Sequence, residues 1–243
     1  MKNKFNPSDY LILALDGINK EDVSTFVSLI PDLRWVKVGL ELFMCAGPEI
    51  LISLRELGIN IFLDLKFHDI PATMGAVCRK AAQNNVQLMT VHACAGFQAL
   101  RKAQSETLLG AQESGFSPPT LLAVTVLTSW QAKQFQKELL ISQSLQNRVE
   151  LLAGVAYEAG LGGVVCSPHE SNALRKIYQE PFEIITPGIR LDDSDKNDQA
   201  RFLGPCEALK EGASKIVVGR PITRSSDPNY SFKRYCDDIA KFQ

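Results

Sequence analysis

The stretch FLDLKFHDIP, residues 62–71, decides how the chain is read. Its apolar lead-in, INIFL (59–63), reads as a buried strand, yet the run ends in three ionisable groups of alternating sign, Asp64, Lys66 and Asp69. An isolated charge in a core is costly, so a strand built for a core carries such charge only where its end does work. Pro71 follows, a residue suited to the first turn of a helix because its missing N–H is not needed there. A strand, a charged end and a helix start make one βα unit.

Seven further apolar, β-rich runs accompany NIFLDLK (60–66): YLILALD (10–16), WVKVGL (35–40), LMTVHA (88–93), LLAVTVL (121–127), GVVCS (163–167), EIITPGI (183–189) and KIVVG (215–219). They are nearly continuous in Val, Ile and Leu, as in strands covered on both faces of a parallel sheet. Helical spacing of apolar residues marks GPEILISLRELG (47–58), IPATMGAVCRKAAQNN (70–85), LQNRVELLAGVAYEAGLGG (145–163) and NALRKIYQ (172–179). Eight such units in 243 residues match the ~250 residues of a (β/α)8 barrel. A doubly wound open sheet would leave two or three units unassigned. No low-complexity linker divides the chain, so one α/β barrel domain is expected over residues 1–243, with the polar segment RLDDSDKNDQARFLG (190–204) as a mobile loop. GLGG (160–163) precedes a strand instead of following one, and reads as a helix stop and not as a dinucleotide loop.

Composition narrows the function classes. Lys and Arg number 26 and Asp and Glu 27, interspersed, for a net charge of −1. That balance gives no reason to expect nucleic acid or an anionic membrane as partner. The six cysteines form no C-x-x-C pair and read as free, buried thiols of a reducing cytosol. The three histidines show no metal-ligand spacing. MKNKFNPSDY, at the start, lacks an apolar h-region, so no secretory signal is expected. No apolar run reaches the ~20 residues of a membrane span.

Active sites of such barrels lie at the C-terminal strand ends. Those ends carry Asp16 on the first strand, Lys37 on the second, and Asp64 with Lys66 on the third. Two residues apart, Asp64 and Lys66 share a side of their strand. The alternating signs neutralise one another, and because a buried ion-pair network adds little net stability, the cluster reads as a site more readily than as a closure of the barrel top. Arg190 follows the seventh strand in TPGIR, and Gly219 and Arg220 follow the eighth in VVGRPIT. Loops after strands seven and eight are the usual phosphate site of these barrels, where Gly admits an oxygen close to the backbone and Arg clamps it. His92 reads as a hydrogen-bonded structural histidine, with a site-facing ring as the alternative; His68 as a residue orienting its loop; His169 as a bystander at a helix start.

These residues together resemble the orotidine 5′-phosphate decarboxylase family. DLKFHDIP (64–71) is similar to that family's D-x-K-x-x-D-I-P signature. ALD (14–16), VKVG (36–39), TVHA, LTS (127–129), VCSP (165–168), TPGIR, the DQ at 198–199 and VGRPIT occur in the family's order over nearly the whole chain. The resemblance implies decarboxylation of orotidine 5′-phosphate to UMP, with no cofactor and no metal. It implies that Asp16 and Lys37 bind the ribose hydroxyls and continue the charge chain. Asp64 would sit against the scissile carboxylate and Lys66 would protonate C6. Asp69 and Thr73 would reach the site of a partner subunit in a homodimer. Thr128 would lie near the pyrimidine, while Arg190, Gln199, Gly219 and Arg220 would hold the phosphate. Two other readings compete. D-x-K-x-x-D is shared with metal-dependent sugar-phosphate decarboxylases and aldolases of the same superfamily, which Lys37 disfavours. A non-catalytic barrel that binds a phosphate ligand would not need Lys66 between two aspartates.

Overall fold

The computed structural model describes residues 5–191 and 203–243. Eight parallel strands close into a barrel in chain order: β1 (Leu11–Ala14), β2 (Trp35–Gly39), β3 (Asn60–Phe67), β4 (Leu88–His92), β5 (Thr120–Val124), β6 (Gly163–Val165), β7 (Glu183–Pro187) and β8 (Lys215–Val218). The seam is parallel, with Leu11, Ile12 and Leu13 of β1 opposite Ile216, Val217 and Val218 of β8. This is the (β/α)8 barrel expected from the sequence. Several strands stop short of their apolar runs. Leu15, Thr125 and Cys166 still donate their N–H groups to Lys37, Val165 and Ile185 of the next strand, and the runs leave the ladder beyond them.

Side chains alternate across each strand, so every strand serves two cores. Inside the barrel Ile12, Ala14, Phe62, Leu88, Leu122, Ile185 and Val217 are buried together, with Trp35 and Val165 packed against them. All eight strands thus contribute to one interior plug. The outward set, including Leu11, Leu13, Val36, Val38, Ile61, Met89, Val164 and Ile216, packs under the helices. Burial on both faces is why the runs read as continuous rather than alternating.

The helices follow the expected punctuation. Pro71, Pro168, Pro205 and Pro228 stand in the first turns of Pro71–Ala82, Pro168–Ile177, Pro205–Lys210 and Pro228–Ile239. Gly160 has φ +83° just beyond the helix Leu145–Glu158, so GLGG is a helix stop, as expected. The longest helix, Phe97–Ser114, is one the apolar periodicity does not single out. Its buried face is Ala99, Leu100, Ala103, Thr107, Gly110 and Ala111. Small residues let it close on Pro71–Ala82: a Cβ at Gly110 would lie 3.0 Å from Arg79 Cα. All six cysteines are free, but only Cys78, Cys166 and Cys206 are buried; Cys45 and Cys94 are exposed, contrary to the expectation of buried thiols. Both sit where the chain leaves the sheet for the helical layer, in the helix Leu40–Ala46 and in the turn after β4.

Candidate active site

Above the plug, the same inward positions change from apolar to polar. On β1 the series Ile12, Ala14 continues to Asp16, and on β2 Trp35 is followed by Lys37. On β3 Phe62 is followed by Asp64, and on β4 Leu88 by Thr90 and His92. Strand alternation therefore delivers five polar groups from four neighbouring strands to the barrel mouth.

These groups form a chain of alternating charge. Lys37 Nζ lies 3.0 Å from both carboxylate oxygens of Asp16 and 3.4 Å from Asp64 Oδ2. Lys66 Nζ donates to the same Asp64 oxygen at 2.7 Å. Lys37 and Asp64 are buried, at 8% and 6% exposure. Burial by itself pushes the Asp64 carboxyl up, but Lys37, Lys66 and the hydrogen bonds from Lys66 and Thr90 outweigh it and hold the group below the ordinary carboxylate value. The site thus keeps a fixed anion between two ammonium groups.

Two local features shape the chain. First, β3 bulges between Leu63 and Phe67, and Lys66 takes φ +51°, a region that residues with a Cβ seldom occupy. The Lys66 side chain consequently reaches back to Asp64 from a kink, not from regular strand alternation. Second, Gly39 faces inward beside Lys37. A Cβ there would press on the Asp16 carboxylate and lie 2.8 Å from Lys37 Nζ. Neither Gly39 nor Thr90 was singled out from sequence; the alternation Trp35, Lys37, Gly39 was the available signal for Gly39.

His92 departs from its expected role. Its ring makes no hydrogen bond among the described residues and instead lies against His68, with ring centroids 5.5 Å apart. Burial, followed by the positive charges of His68 and Lys66, lowers its pKa, with Asp64 opposing. It faces the site, the alternative orientation, because β4 alternation carries it to the same side as Thr90. His68 is exposed, and His169 is exposed at the start of Pro168–Ile177.

Two clefts open beside the charge chain and share Pro187 and Gly188. One, of about 470 Å3, is lined by Asp16, Gly17, Lys37, Arg190, Gly219 and Arg220. The other, of about 570 Å3, is lined by Thr128, Ser129, Trp130, Ser167 and Pro168 among others. Arg190 is held at the rim, its N–H donating to Leu203 O at 3.2 Å beside the bridge between Ile189 and Leu203. Gln199 and most of the 190–204 segment lie outside the described residues. Asp69 and Thr73 are exposed and do not join their own chain's charge cluster. The Asp69 carboxylate accepts from Ile70 N at 2.7 Å and forms no ion pair with a described residue. The arrangement offers an ammonium proton donor pinned by a carboxylate, and beside it an arginine-lined pocket suited to an anion.

Comparison with known proteins agrees with this geometry. Residues 9–235 match the model of the "Orotidine 5'-phosphate decarboxylase / HUMPS family". The chain is 54% identical over 233 residues to an "Orotidine 5'-phosphate decarboxylase" of Parasynechococcus marenigrum, covering 96% of this chain and 95% of that protein. It is 51% identical over 239 residues to a protein of the same description from Prochlorococcus marinus, covering 98% and 100%. Among solved structures, the crystal structure of orotidine 5′-phosphate decarboxylase from Lactobacillus acidophilus superposes with a TM-score of 0.84 at 36% identity, covering 95% of this chain and 99% of that one.

Proposed function

The chain belongs to the orotidine 5′-phosphate decarboxylase / HUMPS family and decarboxylates orotidine 5′-phosphate to UMP in pyrimidine biosynthesis; from that premise we propose how its residues divide the work. One observation carries the assignment: Lys66 Nζ is held 2.7 Å from a buried Asp64 whose other ammonium partner, Lys37, is 3.4 Å away. When the C6–carboxylate bond breaks, its electron pair stays on C6 of the pyrimidine, and no adjacent group delocalises it. Nearby positive charge must stabilise that carbanion, and a proton must quench it. Lys66 does both, donating an Nζ proton to C6. Asp64 holds that ammonium in place, and Lys37 balances the carboxylate from its other side. Asp64 borders the departing carboxylate, and Asp16 with Lys37 takes the ribose hydroxyls.

The cleft lined by Arg190, Gly219 and Arg220 receives the phosphate; Gln199, expected at the same phosphate, lies outside the described residues. The cleft beyond Pro187 and Gly188, with Thr128 at its edge, receives the pyrimidine. Phosphate binding then supplies energy that orients the distant reacting carbon. The reaction needs no cofactor. A divalent cation at Asp64 would have to displace two ammonium groups, which favours the metal-free reading over a metal-dependent sugar-phosphate enzyme. One catalytic domain spans residues 1–243, and the enzyme works in the cytoplasm as a homodimer with shared sites. Support for sharing comes from Asp69 and Thr73, which are exposed and make no ion pair or hydrogen bond with their own charge cluster, and from Ile70 beside them, an apolar residue left 67% exposed.

The test is spectrophotometric. Purified protein should consume orotidine 5′-phosphate absorbance and yield UMP at the same rate with and without EDTA. Loss of activity with EDTA that a divalent cation restores would replace the metal-free mechanism. Tight UMP binding with no turnover would favour a binding protein.

A further inference from the structure

The β3 bulge leaves a bookkeeping problem in the barrel ladder. Leu63 stands opposite Met89 and Phe67 opposite Val91, so Asp64, Leu65 and Lys66 on β3 share a single facing residue on β4, Thr90. A buried N–H without a partner is costly, and the regular ladder cannot serve all three residues. Thr90 supplies what is missing. Its side chain is fully buried, at 0% exposure. Its Oγ1 accepts from the Lys66 backbone N–H at 2.9 Å and donates its own proton to Asp64 Oδ1 at 2.9 Å. The two Asp64 oxygens are thereby divided: Oδ1 is held by Thr90, and Oδ2 by the ammonium groups of Lys66 and Lys37.

We propose that Thr90 is a positioning residue for the decarboxylation, its one hydroxyl locking both the positive-φ backbone of Lys66 and the orientation of Asp64. The inference rests on the reading that Lys66 and Asp64 carry the chemistry. Without the hydroxyl, the kink at Lys66 loses its tie to β4 and Asp64 can rotate about its side chain. The ammonium then moves relative to C6, and a displacement near 1 Å is enough to slow a positioned reaction roughly 100-fold.

Three variants separate this role from packing. Thr90→Val keeps the shape and removes the hydroxyl. Thr90→Ser keeps the hydroxyl and removes a methyl. Thr90→Cys keeps a small side chain with a much weaker donor, and stands in if Thr90→Val does not fold. In protein labelled with 15N-lysine, the Lys66 amide should be protected from hydrogen exchange in the wild type and in Thr90→Ser, and should lose protection in Thr90→Val. That readout requires no turnover. In kinetics, Thr90→Val should lose roughly 10- to 100-fold in kcat, with UMP affinity within about threefold of wild type, and Thr90→Ser should recover most of the rate. A packing role would instead damage Thr90→Ser and Thr90→Val alike, or shift UMP affinity together with kcat. Either of those results, or a Thr90→Val enzyme that keeps wild-type kcat, would overturn the proposal. Lys66→Ala serves as the control: if it stays active, the reading of Lys66 fails and the proposal with it; if it is inactive while Thr90→Val is not, the role of Thr90 fails alone.

Discussion

In the proposed mechanism Lys66 carries two duties in one ammonium group, and that sets what its removal should do. A positioned general acid contributes ~10²–10⁴-fold, and one preorganised electrostatic contact ~10²–10³-fold. If the two multiply, Lys66→Ala should lower kcat/KM on the order of 10⁴–10⁷-fold in the orotidine 5′-phosphate assay. In D2O the wild type should place deuterium at C6 of the product. A folded Lys66→Ala protein keeping more than about a tenth of the activity would refute the assignment. His92 gives a second test, of stability. Its pKa in the folded protein lies below the ordinary 6.5, so the unfolded chain takes up a proton first as pH falls. Folding stability should therefore decline as pH drops below 6.5 and stop declining below the lower folded value. His92→Gln, with His68 left in place, should flatten that decline in urea denaturation measured at about pH 7 and about pH 5.5. An unchanged slope would assign the effect elsewhere. At this scale the charged residues were legible in the sequence because paired charges at strand ends are rare in a core. The His92 ring, which makes no hydrogen bond with a described residue, was not, since its partners are decided by the three-dimensional surroundings of β4.

An element's alternation decides more than which residues are buried. On β2, Trp35 joins the plug, Lys37 joins the charge chain, and Gly39 leaves room for both Asp16 and Lys37. The atoms that a Cβ would meet belong to flexible side-chain ends, so Gly39→Ala should spare the fold and displace the charges. The expected outcome is a kcat/KM lower on the order of 10²-fold, with a melting temperature close to wild type. A large fall in melting temperature would mean that the β2 backbone had moved. The eight strands were readable from their apolar runs, since burial on two faces enforces Val, Ile and Leu throughout. The helix Phe97–Ser114 was not, because its packing against Pro71–Ala82 depends on Ala, Thr and Gly, whose periodicity carries little hydrophobic contrast. The bulge at Lys66 was equally hidden: no residue in DLKFHDIP marks a positive φ.

The proposed shared site is tested on the molecule as a whole. Asp69→Ala and Lys66→Ala proteins, each inactive or weakened alone, should regain activity when mixed and allowed to exchange subunits. One of the two sites in a heterodimer would then hold both native residues. Heterodimers that form and stay inactive would count against sharing.

The β1–β8 seam has a consequence for how the enzyme comes into being. The charge chain is encoded between residues 16 and 66, and the arginines proposed to hold the phosphate at 190 and 220. They become neighbours only when Leu11–Leu13 align with Ile216–Val218. During synthesis the chain can assemble its charges early, because two lysines and two aspartates neutralise one another without a nucleotide. It cannot grip a nucleotide until the last strand has left the ribosome and closed the circle. On the proposed roles, nucleotide binding is therefore a property of the finished chain alone, and an incomplete one presents the chemistry without the means to hold a substrate against it.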